Sequence, residues 1–445
     1  MGKKATPPGD GNTSGGISRS SRWLRFVAEL SGGRPLPRLS WREIFVAFRY
    51  RNYRLWFRGQ LVSLIGTWMQ TTAQGFLIYQ LTSSPAYLGY VGFATGVPAW
   101  LLMLYGGVVA DRLPRQKLLL ATQSTMMLLA LILAALTFLK QVEPWHILLL
   151  TFALGIVTAF DAPARQSFVL ELVEREDLAN AIALNSIMFN LATVLGPAVA
   201  GVIYAVVGPA WCFTINGLTY IAVIVALAMM RIQPIARPTQ GTAFLKDLQE
   251  GLRYVAAHAE IRTLLSIVAV MSLFGNAYMT LMPAWAVKVL GGDAATNGWL
   301  LSARGLGALC GGMVIAALGR FRFKGKLLTL GTFAFPGMLL VFSAVRWLPL
   351  SLGALILVGW SFMVLFNLCN ALIQTLVADK VRGRVISLYT MCIFGLMPLG
   401  ALLAGLAAEV VSEPLTILLS AAIALVYALW VFLKVPGLRA QPGQD

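Results

Sequence analysis

Gly107-Val-Val-Ala-Asp111-Arg112-Leu-Pro114-Arg115-Gln-Lys117 is a charged turn set between two long apolar segments. Charge at a membrane interface is costly unless it is paired or hydrated. A compact acid–base cluster there points to a tether that holds in one conformation and releases in another. The rest of the chain agrees with a membrane setting. It is 58% apolar and 12% charged, with a mean hydropathy of +0.75, and its apolar residues recur in runs of membrane-spanning length.

Runs of about 20 residues bounded by charge, proline or glycine predict an all-α membrane protein of twelve spans. They begin near Leu55, Tyr87, Lys117, His146, Asn180, Ala210, Arg262, Asn297, Lys326, Leu348, Val385 and Pro414. With both termini cytoplasmic, 31 of the 35 lysines and arginines fall in the tails and even-numbered loops. Only Lys140, Lys288 and Arg346 lie on the far side, and Arg304 falls inside a span, an asymmetry that sets the orientation. The net charge of +17 then reflects topology and attraction to anionic lipid rather than a nucleic-acid partner. No cleavable signal pattern is expected. Residues 1–48 read as a cytoplasmic extension whose Trp23, Phe26, Trp41, Phe45 and Phe48, interleaved with arginines, would lie on the membrane.

Cys212, Cys310, Cys369 and Cys392 sit singly in apolar spans and read as small core residues. His146 and His258 are the two histidines, and no metal or catalytic cluster can be built from them. No ATP-binding motif is present, and no cofactor is expected.

The chain is also duplicated. Leu172-Val173, Ala181 to Leu184, Leu195-Gly196 and Ala200-Gly201 match Leu376-Val377, Val385 to Leu388, Leu399-Gly400 and Ala404-Gly405 at a constant offset of 204. The charged turn faces Gly319-Arg320-Phe-Arg322-Phe-Lys324-Gly-Lys326 at an offset of 209, a copy without the acid. Two six-helix halves follow, residues 49–231 and 261–435, with a tail at 436–445. The linker at 232–260 contains Pro234, Pro238 and an amphipathic run, Phe244-Leu245-Leu248-Leu252-Tyr254-Val255, expected to lie along the membrane.

These residues resemble the major facilitator superfamily. The Gly107 to Lys117 turn is similar to that family's signature between the second and third helices, departing from it at Pro114 and in the basic residue displaced to Lys117. Phe160-Asp161-Ala-Pro163-Ala-Arg165-Gln166, Glu171-Leu-Val, Asn180-Ala-Ile-Ala-Leu-Asn185 and Gly196-Pro197-Ala-Val-Ala-Gly201 resemble the bacterial exporter branch that includes the enterobactin exporter. The likeness spans nearly all of residues 49–435. It implies two pseudo-symmetric six-helix bundles, transport by alternating access and coupling to protons.

Within that fold, Asp111 would end the second helix beside the start of the eleventh, whose unpaired N–H groups attract an anion. Arg115, one turn on, suits an acid on the fourth helix, and Asp161 is the one carboxylate within that span. The alternative is that Asp161 pairs with Arg165, its i+4 neighbour, and both arrangements could share one carboxylate. Gly107 and Arg112 complete the gate, and Asp161 is the default proton site. Gly196-Pro197 with Gly201 thins the fifth helix for close approach and allows a bend. It resembles the family's antiporter motif, although small residues also serve ordinary packing.

The first, fourth, seventh and tenth helices line the central cavity in this fold. Gln70 and Gln74 share one face of the first; Asn276 and Tyr278 occupy the seventh; Asn367, Asn370 and Gln374 form a stripe on the tenth. Each polar group could meet a substrate or serve interhelical hydrogen bonding. Arg304, about two turns into the eighth helix with no acid in its span, needs an anion. That anion would be a substrate group or Glu409. The expected protein is a functional monomer in the inner membrane, exporting a small amphipathic molecule such as a siderophore or drug-like compound by proton antiport. Uptake of a sugar or organic acid is the same-fold alternative. A membrane-embedded enzyme would need a poised base or nucleophile that the spans lack, and a scaffold without flux would leave the charged turn and the duplication unexplained.

Overall fold

The computed structural model describes residues 45–232, 244–318 and 324–435. Trp23, Phe26, Trp41, the linker prolines, most of the second charged turn and the tail lie outside the described residues. The long helices are α1 Arg51–Thr82, α2 Pro85–Arg112, α3 Arg115–Phe138, α4 Pro144–Phe168, α5 Leu178–Val207 and α6 Pro209–Ala228. After a linker helix, Phe244–Ala257, come α7 Ala259–Val289, α8 Ala294–Leu318, α9 Lys324–Ala344, α10 Leu348–Leu376, α11 Asp379–Val410 and α12 Glu413–Lys434.

Sequence chemistry explains many of the boundaries. A proline in the first turn starts α2, α4, α6, α10 and α12, where a missing N–H has no intrahelical partner to lose. Gly208, at φ 93°, ends α5 in a backbone region that L side chains avoid. Among the described residues, eleven helices are long and apolar enough to cross a membrane. The first long helix falls outside that set. Its 32 residues reach about 48 Å, but Arg51, Arg54, Arg58, Gln60, Gln70 and Gln74 dilute its hydropathy. Helix starts lie within about a turn of the expected spans, except that α11 begins at Asp379 rather than near Val385. Asp379, Lys380, Arg382 and Arg384 make its first turns too charged for a hydropathy reading to include them.

Helix α1 packs on α5 and α6, α2 on α4, and α3 on α6; further along the chain, α10 packs on α8 and α9, and α9 on α12. A buried cluster built around Trp285, Phe335, Phe342 and Leu355 fills the space among α7, α9, α10 and α12. Two crossings, α2 with α11 and α5 with α8, join the two sets of helices. They are near copies of each other. At one, a Cβ on Gly405 would lie 2.8 Å from Gly89 Cα; at the other, a Cβ on Gly298 would lie 3.0 Å from Gly201 Cα. Gly89 and Gly298 are separated by the 209 offset, and Gly201 and Gly405 by the 204 offset. The glycines at the two crossings therefore fall at the offsets read from the sequence, with glycine where the two backbones touch.

The end carrying Ser84, Gly291 and Ser412 is called outer, and the end carrying Leu113 and Val377 inner. Close contact between α2 and α11 runs from Glu409 beside Ser84 to Gly395 beside Trp100, in the outer part of both helices. Likewise α5 meets α8 from Gly201 beside Ala295 to Thr193 beside Gly305. Nearer the inner end, nothing stands within 4 Å of a Cβ placed on Gly107, and Tyr105 and Val108 are 63% and 47% exposed.

Two expectations need correction. The linker helix is seated on α11, with Glu250 Oε2 2.6 Å from Arg384 Nη1; Leu248, Tyr254 and Val255 lie against the core while Leu252 is exposed, so part of its apolar side faces protein. Phe48, expected on the membrane, packs edge-on against Phe57 at 4.9 Å. Its neighbours Ala47 and Arg49 are held by Asn180 Oδ1 at 3.1 Å and Asp177 Oδ2 at 2.8 Å.

Candidate functional site

The inner turn is organised by Arg115, the first residue of α3. Its Nη1 donates to Glu171 Oε1 at 2.8 Å and to the Ser167 carbonyl at 3.2 Å, and its Nη2 lies 3.5 Å from Asp111 Oδ1. Glu171 comes from the short turn Val169–Glu171 that continues α4. Arg112 and Asp111 are exposed at this end, the Asp111 side chain to 72%.

Asp161 is buried deeper. Its Oδ1 accepts hydrogen bonds from Thr122 Oγ1 and Gln123 Nε2, each at 2.8 Å, and its Oδ2 lies 3.6 Å from Arg165 Nε. The expected Arg115–Asp161 pair is therefore absent here, and the i+4 partner Arg165 holds Asp161 instead. Depth is the reason. Asp161 precedes Glu171 by about 15 Å of helix and sits level with Thr122, two turns along α3 from Arg115. Glu171, at the height of Arg115, takes its place. The sequence signal for Glu171 was its position just past the end of α4, opposite the start of α3; Thr122 and Gln123 carried no comparable signal.

Gly196, Pro197 and Gly201 serve two neighbours. A Cβ on Gly196 would lie 3.0 Å from the Ile65 carbonyl on α1, and one on Gly201 would lie 2.9 Å from Ala295 Cα on α8. The Pro197 carbonyl lies 2.5 Å from a Cβ built on Gly298. Close approach of α1 and α8 is what this segment permits.

The cavity residues divide into two groups. Gln70 Oε1 accepts from Asn216 Nδ2 on α6 at 2.6 Å, and Gln74 Nε2 donates to Thr151 Oγ1 on α4. Both glutamines are buried in interhelical hydrogen bonds rather than turned to open space. By contrast, Asn367 and Asn370 are half-buried and Gln374 is exposed, with Gln374 Nε2 donating to Asn370 Oδ1 at 2.8 Å. Asn276 lies just after a π-helical stretch, Met271–Gly275, where α7 departs from α-helical winding; it is 8% exposed, and neither end of its amide has a partner among the described residues. Such irregular helix recurs at functional sites because it frees backbone groups.

Arg304 lies between α7 and α10. Its Nε donates to the buried Tyr278 hydroxyl at 3.2 Å, and its guanidinium carbon stands 5.0 Å from the Phe362 ring centroid. Glu409, the protein partner considered for it, is engaged at the outer end by Ser84 Oγ at 2.6 Å. Among the described residues Arg304 forms no salt bridge. The Tyr278 hydroxyl and the Phe362 ring hold the planar guanidinium in place and leave its terminal nitrogens as a two-donor fork suited to a carboxylate or another planar anion. Phe362 was not singled out by sequence, where it is one apolar residue in an apolar run. The four cysteines are free, Cys212 and Cys369 fully buried.

A helical membrane protein with two glycine-lined crossings, contact at the outer end and a charged turn at the inner end has the build of an alternating-access transporter. Comparison with known proteins gives the family. Residues 43–442 match the family model for transmembrane secretion effectors, and the chain belongs to that family, within the major facilitator superfamily. It is similar to the staphyloferrin A transporter of Staphylococcus aureus, 24% identical over 358 residues, 80% of this chain and 89% of that protein. The enterobactin exporter EntS of Shigella flexneri is 27% identical over 342 residues, 76% of this chain and 80% of that protein. Macrolide efflux protein A of Streptococcus pyogenes is 25% identical over 382 residues, 81% and 91% respectively. Among solved structures, the nucleoside transporter NupG superposes with a TM-score of 0.68 at 13% identity, over 86% of this chain and 98% of that one. A bacterial homolog of the human lysosomal transporter Spinster, inward-facing and unoccupied, gives 0.67 at 14% identity, over 92% and 100%. The protein is a multi-pass membrane transporter and not an enzyme.

Proposed function

We propose that the protein exports a small amphipathic molecule bearing an anionic group, a siderophore or drug-like compound, by proton antiport across the inner membrane. The observation that carries this reading is Arg304: a guanidinium within a span, oriented by Tyr278 and Phe362, with no carboxylate beside it among the described residues. A cation at that depth is retained where an anion can join it. Relatives named for staphyloferrin A, enterobactin and macrolides support the substrate class and the direction of transport.

Twelve spanning helices in two pseudo-symmetric bundles, 49–231 and 261–435, fit this mechanism, with 1–48, 232–260 and 436–445 as cytoplasmic extension, linker and tail. The repeated Gly89–Gly405 and Gly298–Gly201 contacts support the symmetry. With both termini cytoplasmic, the inner end faces the cytoplasm, and this conformer is the one that loads substrate from inside. Asn276, Asn367, Asn370 and Gln374 are the further candidates for ligand contact, with Gln70 and Gln74 behind them holding α1 to α6 and α4. Asp161, a buried acid bound by two neutral donors and one cation, is the proposed proton carrier. Gly196, Pro197 and Gly201 let the halves rock against each other. The charged inner turn and the candidate ligand contacts all lie on one chain, which supports a monomer as the functional unit. The organic-acid uptake carrier shares the demand for an anion at Arg304 and differs in direction.

Binding of enterobactin, staphyloferrin A and a macrolide to detergent-solubilised protein tests the site. Arg304→Lys should weaken the bound probe and Arg304→Gln should weaken it further, both with unchanged thermal stability. Loss of stability with unchanged affinity in the folded fraction would refute a ligand role for Arg304.

A further inference from the structure

Glu409 lies near the end of α11, and its carboxylate caps the start of another helix. Oε2 accepts from Ser84 Oγ at 2.6 Å and from the Ala86 backbone N–H at 3.2 Å. Ser84 is the N-cap of α2, and Pro85 follows it in the first turn, so Ala86 supplies one of the earliest free N–H groups of that helix. An anion at a helix N-terminus meets both the unpaired N–H groups and the positive end of the helix dipole. This contact spans a sequence separation of 325 and joins the two sets of helices.

The chemistry mirrors the inner turn. Asp111 ends α2, and the family resemblance sets it beside the start of α11 when the inner end is closed. Glu409 ends α11 and sits on the start of α2 while the outer end is closed. Each helix of the pair thus offers an acid near its C-terminus to the other's N-terminus, at opposite ends of one crossing. The backbones are close enough for this only because Gly89 and Gly405 touch: a Cβ on Gly405 would also lie 2.7 Å from the Pro85 carbonyl.

We propose that Glu409 with Ser84 and the α2 N-terminus is the outer gate latch, the reciprocal of the Asp111 gate, and that the two acids hold alternately. When α2 and α11 part at the outer end, both hydrogen bonds to Glu409 break together, because donor and acceptor lie on different helices of the crossing. Neighbouring charge is arranged around the latch without replacing it. Lys288 on α7 pairs with Glu413 on α12 at 3.0 Å and stands 6.0 Å from the Tyr79 ring centroid of α1, so its charge is committed beside the latch. The latch does not depend on which molecule is carried.

The test uses spin-label distances on full-length protein in lipid nanodiscs, with the four native cysteines changed to alanine. One label pair, Leu81→Cys with Val411→Cys, reports the outer end; a second, Val108→Cys with Ile386→Cys, reports the inner end. Loss of the exposed carboxylate's charge at a helix terminus predicts that Glu409→Gln raises the long-distance outer population about three- to fivefold while the inner distance shortens. Ser84→Ala, which keeps the backbone donor, should move both in the same directions by less. An unchanged outer distribution in Glu409→Gln would overturn the latch. So would lengthening of both pairs together, which is loosening without alternation.

Discussion

Arg115 and Glu171 close a 2.8 Å ion pair beneath the inner turn, joining the start of α3 to the end of α4. Their side chains are 13% and 6% exposed, so the pair lies in a protected setting, and Asp111 approaches the same guanidinium at 3.5 Å. Arg115 therefore connects a fixed acid within its own half to the acid expected to reach across to α11.

Glu171→Gln should lower thermal stability by about 1.5–3 kcal/mol, because a buried cation loses its charged acceptor. Exchanging the two residues, Arg115→Glu with Glu171→Arg, should recover part of that loss. Combining Arg115→Gln with Asp161→Asn should instead give additive losses. Chemical denaturation of the purified variants measures all three, and strong coupling between Arg115 and Asp161 would return that pair to the gate.

Asp111→Asn keeps the side-chain shape and removes the charge that meets a helix terminus. Transport at matched expression should fall about tenfold, the scale of a favourable helix-terminus interaction. Protein yield should be unchanged. Full activity in this variant would exclude Asp111 from gating.

Asp161→Asn should uncouple transport from the proton gradient. Thr122 and Gln123 still find an amide oxygen at this site, so folding should survive. Exchange of labelled for unlabelled substrate across vesicles at equal pH should persist while gradient-driven accumulation is lost. Retained gradient-driven accumulation would assign the proton to another group.

Asn216→Ala should destabilise the protein by about 1–3 kcal/mol, leaving the buried Gln70 oxygen without its donor. Affinity for any bound probe should stay unchanged, since Gln70 is directed at α6. A large affinity loss with little change in melting temperature would show that Gln70 touches ligand.

Much of the fold could be read because hydropathy runs and the 204 and 209 offsets report long-range order directly. Asp379 to Arg384 escaped that reading, being helix at the membrane edge where charge is tolerated. The linker helix reads as amphipathic, but periodicity does not say whether an apolar face meets lipid or protein; Leu248, Tyr254 and Val255 meet the core while Leu252 stays exposed. At the site, single residues out of keeping with their surroundings were legible: Arg304 and Asp161 stand out because burying charge is costly. Their partners were not. Thr122, Gln123, Tyr278 and Phe362 are unremarkable as residue types, and Glu171 wins over Asp161 through helix depth, which depends on how α3 and α4 slide against each other.

Accumulation of radiolabelled enterobactin, staphyloferrin A or a macrolide in inside-out membrane vesicles with an acidic lumen tests the export reading most directly. The account predicts that at least one probe accumulates in wild-type vesicles, that collapsing the pH gradient stops it, and that Arg304→Gln abolishes it. Accumulation of a probe only in right-side-out vesicles, or accumulation in inverted vesicles that Arg304→Gln leaves untouched, would contradict it.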